Sequence, residues 1–310
     1  MRAITGLYKV DTTQLYDNLL ADLSAKLEVL EDKPEETPVN TLRALWFKAA
    51  GEPRSAQAAQ EGQLPALDES RQQALQGLVD QRLQGTPLAH LTQRQQFMGI
   101  ELLAGPEALV PRKETELLGN AVLPLLNKAV ADNGCAKVID VCTGAGNLAI
   151  AYAIHEPKAH VYAADLSADA VSLAKRNATF TGVTDQLDLR EGDLLTPFED
   201  PEIMGNIDVL SCNPPYISSG KVEAMHHEIS KHEPALAFDG GPFGIRILQR
   251  LINEAPRFLK PGGWLAFEIG SGQGPALLQR MPRNKNYSEL RSIEYQPGDM
   301  RVILARRRAD

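Results

Sequence analysis

The sequence has three cysteines, Cys135, Cys142 and Cys212, scattered and in no CxxC or Cys/His spacing. That scarcity argues against a disulfide framework and a structural zinc site, and it fits the reducing cytosol. No apolar run is long enough to span a bilayer. The opening stretch, "MRAITGLYKVDTTQLYDNLL", has no uninterrupted apolar core followed by a small-residue cleavage site, so secretion is not expected. A basic excess is also missing. The formal net charge is −8, which weighs against broad nucleic-acid binding, because such binding rests on neutralising phosphates. The short basic end, Arg306 to Arg308, reads as a solvated tail. The expectation is a cytoplasmic protein with no membrane partner, no direct nucleic-acid contact and no metal.

What is present is an ordinary globular composition, 43% apolar and 23% charged, in 310 residues, long enough for about two domains. From about Thr12 to Gln84 strand alternation is lacking. "TQLYDNLLADLSAKLEVL" and "DESRQQALQGLVDQRLQG" place apolar residues three and four apart, a helical spacing. Asp68 and Ser70 can start the second helix, and Gly85-Thr86-Pro87 ends it. "RQQFMGIELLA" offers two short extended pieces turning near Gly99. From Lys137 the pattern becomes strand–helix alternation. "KVIDV", "HVYAAD", "LDLREGD", "IDVLSC", "GGWLAFEIG" and "MRVILAR" read as strands, and Ser167 as the N-cap of "SADAVSLAKRNATF". This alternation predicts an α/β protein with a parallel sheet that binds its ligand at the strands' carboxyl ends.

Three of those strand ends carry chemistry. "DVCTGAGN" (residues 140–147) holds Gly144 and Gly146, which let backbone approach a ligand where a Cβ would collide. It lacks the GxGxxG of dinucleotide binders and the GK[ST] of P-loops, and no Lys or Arg stands ready for a pyrophosphate. Asp165, ending the second strand, can accept from both hydroxyls of a ribose. The plainer alternative is an acid favoured by a helix N-terminus. Asp193 follows with Leu194. It can take an adenine amino group while Leu194 packs on the ring, or it is simply a loop acid. Together these describe an adenosine site without phosphates, which S-adenosylmethionine fits.

A fourth strand runs into "NPPY". Pro214 and Pro215 cannot donate to a sheet ladder, so the strand stops at Asn213. The rim that results carries an amide, carbonyls with no neighbouring N–H, and the Tyr216 ring. His226, His227 and His232 lie in "MHHEISKHEPALAF"; with no carboxylate pattern to close a ligand set, they read as a polar lid or partner surface.

"RLQGTPLAHLTQRQQFMGIELLAGPEALVPRKETELL", "DVCTGAGNLAIA", "NPPYIS" and "HEPALAFDGGPFGIRIL" together resemble the HemK family of protein glutamine methyltransferases, from about Arg82 to the C-terminus. The resemblance implies a class I S-adenosylmethionine-dependent methyltransferase fold, Rossmann-like, with a seven-stranded mostly parallel sheet and a small N-terminal helical domain. It divides the chain into a helical substrate-recognition domain (1–86), a β-hairpin linker (87–108) and a catalytic domain (109–310). Cys142, Thr143, Gly144, Ala145, Gly146, Asp165, Leu166, Asp193, Leu194 and Asn213 would line the cofactor. Asn213, Pro214, Pro215 and Tyr216 would hold the target amide. Cys142 stands where many relatives have Gly; with no His or Asp partner nearby in sequence it reads as a small buried residue and not a nucleophile.

The acceptor implied is an exposed glutamine of a release factor or a ribosomal protein. "PRKETE" points to the first, whereas "CTGAG" also resembles the second, and a monomer is expected. An amide nitrogen is a poor nucleophile. The Asn213 side-chain oxygen and the Pro214 carbonyl can take both its N–H bonds, orienting it and dispersing the charge that grows on it. Tyr216 can stack on the planar amide. Glu233 matches a family position without an evident role. The rival readings are a nucleic-acid amino methyltransferase, which meets the same acceptors, and a relative acting on a small-molecule amide.

Overall fold

Capping residues punctuate the first part of the chain into helices. The structure, a computed structural model, describes residues 12–30, 32–217, 233, 234, 238 and 244–309, so His226, His227 and His232 lie outside the described residues. Contacts divide the chain into two units, one through Arg94 and one from Gln95.

The first unit holds α1 (Thr12–Lys26), α2 (Pro38–Ala50), α3 (Glu69–Leu83) and the short α4 (Leu88–Thr92). Thr37 caps α2 by accepting from the Asn40 N–H, and Pro38 takes the first turn, where a missing N–H costs nothing. Asp68 caps α3 through the Arg71 N–H. Leu23 of α1, Leu42 and Trp46 of α2, and Leu75 and Val79 of α3 share one core. Within it, the Arg82 guanidinium lies 3.0 Å from the Glu36 carboxylate, both almost wholly buried.

The boundary falls at the first residue of a hairpin, β1 (Arg94–Phe97) and β2 (Ile100–Leu103). Met98 and Gly99 form its turn, both with positive φ (48° and 80°), as a two-residue type I′ turn requires. Phe97 and Leu102 belong to the same hydrophobic cluster as Leu118, Val122 and Val138. The hairpin is thus built into the sheet unit's core, and the chain divides after it leaves α4.

The remaining elements are α5 (Glu116–Asn133), β3 (Ala136–Val141), α6 (Asn147–His155), β4 (Ala159–Asp165), α7 (Ala168–Thr181), β5 (Leu187–Glu191), β6 (Ile207–Cys212), α8 (Arg246–Glu254), β7 (Leu259–Glu268), α9 (Gly274–Arg280), β8 (Tyr287–Gln296) and β9 (Asp299–Arg307). The seven strands of the main sheet run β5-β4-β3-β6-β7-β9-β8. β5, β4, β3, β6 and β7 are parallel, and β9 is antiparallel to both its neighbours. Chain order reverses between β3 and β6, the place where open α/β sheets form a crevice. Val138 faces one hydrophobic cluster while Ile139 and Val141 face the other, so the central strands are buried on both sides.

Two sequence expectations change here. β8 is a strand that "YSELRSIEYQ" does not announce: at the sheet's edge, most of its residues remain exposed or half-exposed. Arg306 and Arg307 are not a trailing tail. They end β9, and Arg306 donates to the Gly262 carbonyl and lies over the Trp264 ring.

Candidate active site

Cys142, Thr143, Gly144, Asp165 and Leu166 line one cleft at the carboxyl ends of the parallel strands. Asp193, Leu194, Asn213 and Pro215 line it too. The remaining positions stand behind the wall. Ala145 is buried against Ala108, Ala170 and Leu173. Gly146 starts α6 at φ 80°, with Ala174 Cβ only 3.0 Å from where a side chain would begin. Pro214 is buried. Tyr216 is not part of that lining; its ring and hydroxyl face a buried charged group below the rim.

The glycine loop is braced from both ends. Thr143 Oγ1 donates to Asp140 at 2.7 Å, and Ser211 of β6 donates to the same carboxyl at 2.6 Å. Burial pushes Asp140 up to about 7 against those two hydrogen bonds. On the ligand side, Asp165 accepts from the Gly144 and Ser167 N–H groups, at 2.8 and 3.0 Å. Its carboxyl is raised from the ordinary value, chiefly by burial. The carboxylate, with about four acceptor positions, keeps capacity for a hydroxyl donor.

Asp193 lies beyond the end of β5 and is held by Arg250, whose Nη1 reaches both carboxylate oxygens, at 3.1 and 2.9 Å. Leu166 is 54% exposed, an apolar side chain left open at the cleft edge, and Leu194 is buried beside it at φ 51°. Such a wall suits the flat face of an adenine. Arg112 also lines the cleft, but its guanidinium meets Glu233 at 2.6 Å. Glycine loop, acid and apolar wall therefore fit an adenosine whose other end carries no phosphate.

Sequence reading left Glu233 without a role, and geometry supplies one. Its carboxylate accepts from the Val110 N–H at 2.9 Å and from Arg112, with the side chain fully buried. It ties the segment at Pro234, which lines the cleft, to the loop leading into "PRKETE".

The NPPY rim also has support that the motif does not reveal. Asn213 Nδ2 donates to Thr115 Oγ1 at 3.1 Å. The Tyr216 hydroxyl lies 3.3 Å from Glu114 and 3.2 Å from Glu268, and receives Arg301 Nη2 at 3.2 Å. These partners stand far off in sequence. Two sequence signals touch them: "PRKETE", which holds Glu114 and Thr115, and Glu268, a lone acid inside the apolar run "GGWLAFEIG".

Known proteins share the chain's sequence pattern and its fold. The sequence pattern of the methyltransferase small domain family matches residues 120–245. The chain is 35% identical to the release factor glutamine methyltransferase of Moorella thermoacetica, over 75% of this chain and 79% of that one. For the release factor glutamine methyltransferase of Gloeobacter violaceus the identity is 32%, over 77% and 82%. Among solved structures, the hMettl16 catalytic domain in complex with a MAT2A 3′UTR hairpin aligns with a TM-score of 0.53 at 16% identity, covering 75% of this chain and 82% of that one. That likeness concerns the fold alone. With a glycine loop, a ribose-competent acid and an NPPY rim around one cleft, and relatives matched over most of their length, the chain belongs to the HemK family of S-adenosylmethionine-dependent protein glutamine methyltransferases.

Proposed function

We propose that this chain methylates the side-chain amide nitrogen of a glutamine presented by a peptide chain release factor. The observation that carries the reading is that Asn213 lines the same cleft as Gly144 and Asp165, with its amide nitrogen turned to Thr115. That leaves Oδ1 as an acceptor. With the Pro214 carbonyl it can take both N–H bonds of a glutamine side chain, which orients the nitrogen and disperses the positive charge developing there. Bound S-adenosylmethionine supplies an electrophilic methyl group. Asp165 would hold its ribose, Leu166 and Leu194 its adenine, and the Cys142–Gly146 loop the methionine portion. The four helices before Arg94 would grip the protein around the glutamine.

An adenine or guanine amino group would meet the same acceptors. A nucleic-acid backbone, however, needs available cations. Arg112 and Arg250, close to the cleft, are engaged by Glu233 and Asp193.

The test is labelled transfer to a purified release factor, followed by fragment mass analysis. The expected product carries one methyl on a glutamine. Replacing that glutamine by glutamate should abolish transfer, since a site built for an N–H rejects analogues lacking it by up to ~10⁴–10⁵-fold. Asn213→Ala should keep cofactor affinity within a modest factor and cut transfer by roughly two orders of magnitude. A methyl found on a nucleic-acid base, a lysine or an arginine would sink this reading.

A further inference from the structure

Tyr216 is gripped at both ends. Its hydroxyl lies 3.3 Å from Glu114 and 3.2 Å from Glu268, and accepts from Arg301 Nη2 at 3.2 Å. Its carbonyl accepts from Gln273 Nε2 at 3.1 Å. Gln273 is itself pinned, because its Oε1 takes the Gly270 N–H at 2.9 Å and its NH₂ also reaches the Gly244 carbonyl at 3.3 Å. Backbone closes in on the tyrosine as well. A Cβ at Gly244, where φ is 66°, would collide with the Tyr216 carbonyl, and one at Gly270 would stand 3.0 Å from the ring's Cδ2. A ring so enclosed, and absent from the cleft lining, is not placed to stack on an acceptor amide.

Arg301 is the hub of the hydroxyl end, with its side chain 10% exposed. Nε donates to the Ile269 carbonyl at 3.0 Å, and Nη2 donates to Glu114 at 2.8 Å as well as to Tyr216. A guanidinium only donates, so the Tyr216 oxygen accepts from it and gives its own proton to Glu114 or Glu268. Burying such a charged group costs more than packing apolar side chains of the same volume, so stability alone does not account for it. What it holds adjoins the reaction. The acceptors for the target amide are the Asn213 side chain and the Pro214 carbonyl, and only Pro215 separates Pro214 from Tyr216. Both prolines fix φ at about −65°, and each restricts the residue before it to extended backbone. Few soft torsions remain, so a displacement of Tyr216 is passed on to the Pro214 carbonyl.

We propose that Tyr216 serves methyl transfer as an anchor and not as a stacking surface, with Arg301 and Gln273 as positioning residues. They grip its hydroxyl and its carbonyl, and through the two prolines they fix where the Pro214 carbonyl and the Asn213 side chain meet the acceptor nitrogen. This deepens the glutamine reading and rests on it for the acceptor's identity. The two roles of Tyr216 separate cleanly. A stacking role uses the ring, which phenylalanine keeps, whereas an anchoring role uses the hydroxyl, which phenylalanine lacks. Arg301→Lys keeps the charge and loses the planar fork that reaches Ile269, Glu114 and Tyr216 together. Gln273→Glu keeps an acceptor for the Gly270 N–H but sets a carboxylate oxygen against the Tyr216 and Gly244 carbonyls.

The experiment compares the full-length wild type with Tyr216→Phe, Arg301→Lys, Gln273→Glu and the double variant Tyr216→Phe/Arg301→Lys. It measures kcat, KM for the protein acceptor, S-adenosylmethionine affinity by calorimetry, and thermal melting. Tyr216→Phe should bind S-adenosylmethionine normally and lose roughly 10- to 100-fold in kcat, as for a small misplacement of a reacting group. Arg301→Lys and Gln273→Glu should each lose kcat in the same way. Because Arg301 acts through the tyrosine hydroxyl, the double variant should be little worse than Tyr216→Phe alone. The proposal is overturned by a Tyr216→Phe enzyme with wild-type kcat, which would return the ring to a stacking role. It is overturned equally by losses that follow cofactor affinity or KM instead of kcat, or by fully additive losses in the double variant. If Arg301→Lys fails to fold, Tyr216→Phe and Gln273→Glu decide. Fragment analysis of the wild-type product tests the glutamine reading separately. A methyl on another residue would end that reading, and the variants' kcat on that acceptor would still judge the anchor.

Discussion

Cys142 shows how a single residue can hold a site at some cost to the fold. It sits at φ 58°, in the left-handed region that favours glycine, immediately after β3. Its thiol is near Cys212, and burial, reinforced by that neighbour, pushes the Cys212 thiol well up, so the strand end offers no ready thiolate. A side chain in this conformation costs about 1–2 kcal/mol. Replacing it by glycine removes that strain and adds roughly 0.4–1 kcal/mol of unfolded-state entropy, which opposes the gain. Cys142→Gly should therefore raise stability by up to about 1 kcal/mol, read as a higher urea midpoint with unchanged slope. A lower midpoint would mean that packing of the thiol outweighs the strain.

Elements in the sheet unit are fastened to one another by buried polar groups as well as by apolar contact. Asn177 of α7 is wholly buried. Its oxygen accepts from the Leu103 N–H at 2.6 Å, and its NH₂ donates to the carbonyls of Leu103 and Ala145, at 3.1 and 3.0 Å. One side chain thus joins hairpin, helix and glycine loop. Asn177→Ala strips partners from three backbone groups, each worth about 1–3 kcal/mol when buried. We expect a loss of about 3 kcal/mol or more in denaturant unfolding, with weaker S-adenosylmethionine binding, because the Ala145 loop is released. None of this was legible in sequence, since Leu103, Ala145 and Asn177 are brought together only by the fold. The parallel strands were legible for a physical reason. Strands buried on both faces read as continuous apolar runs, as "KVIDV" and "IDVLSC" do. β8 lacks that signature because an edge strand needs no second apolar face. Likewise, the cleft-lining loops declare themselves by glycine and acid, whereas Thr115 and Arg301 support the rim from remote segments.

The whole molecule carries two acids beneath its site, Asp140 under the glycine loop and Glu268 under the NPPY rim, and both are pushed up to about 7. Ordinary carboxyls titrate near 4 when the chain unfolds. Between those values the folded protein binds protons that the unfolded chain has released, so unfolding becomes easier as pH rises. The stabilisation is complete below about 4 and is lost as pH passes through about 7, at a slope of up to ~2.7 kcal/mol per pH unit while both acids differ. His160 acts the other way at the acid end: burial lowers its pKa, so stability falls once the unfolded histidine protonates, below about 6.5. Two protons outweigh one, and the protein should be more stable at pH 6 than at pH 8. Net negative charge grows over the same range and favours unfolding too, so the wild-type trend alone is not diagnostic. The informative quantity is the difference from Asp140→Asn/Glu268→Gln, which removes both ionisations and keeps the other titrating groups. Urea midpoints of that double variant should change much less between the two pH values and should exceed wild type most at pH 8. Equal slopes would mean that neither carboxyl is held protonated in the fold.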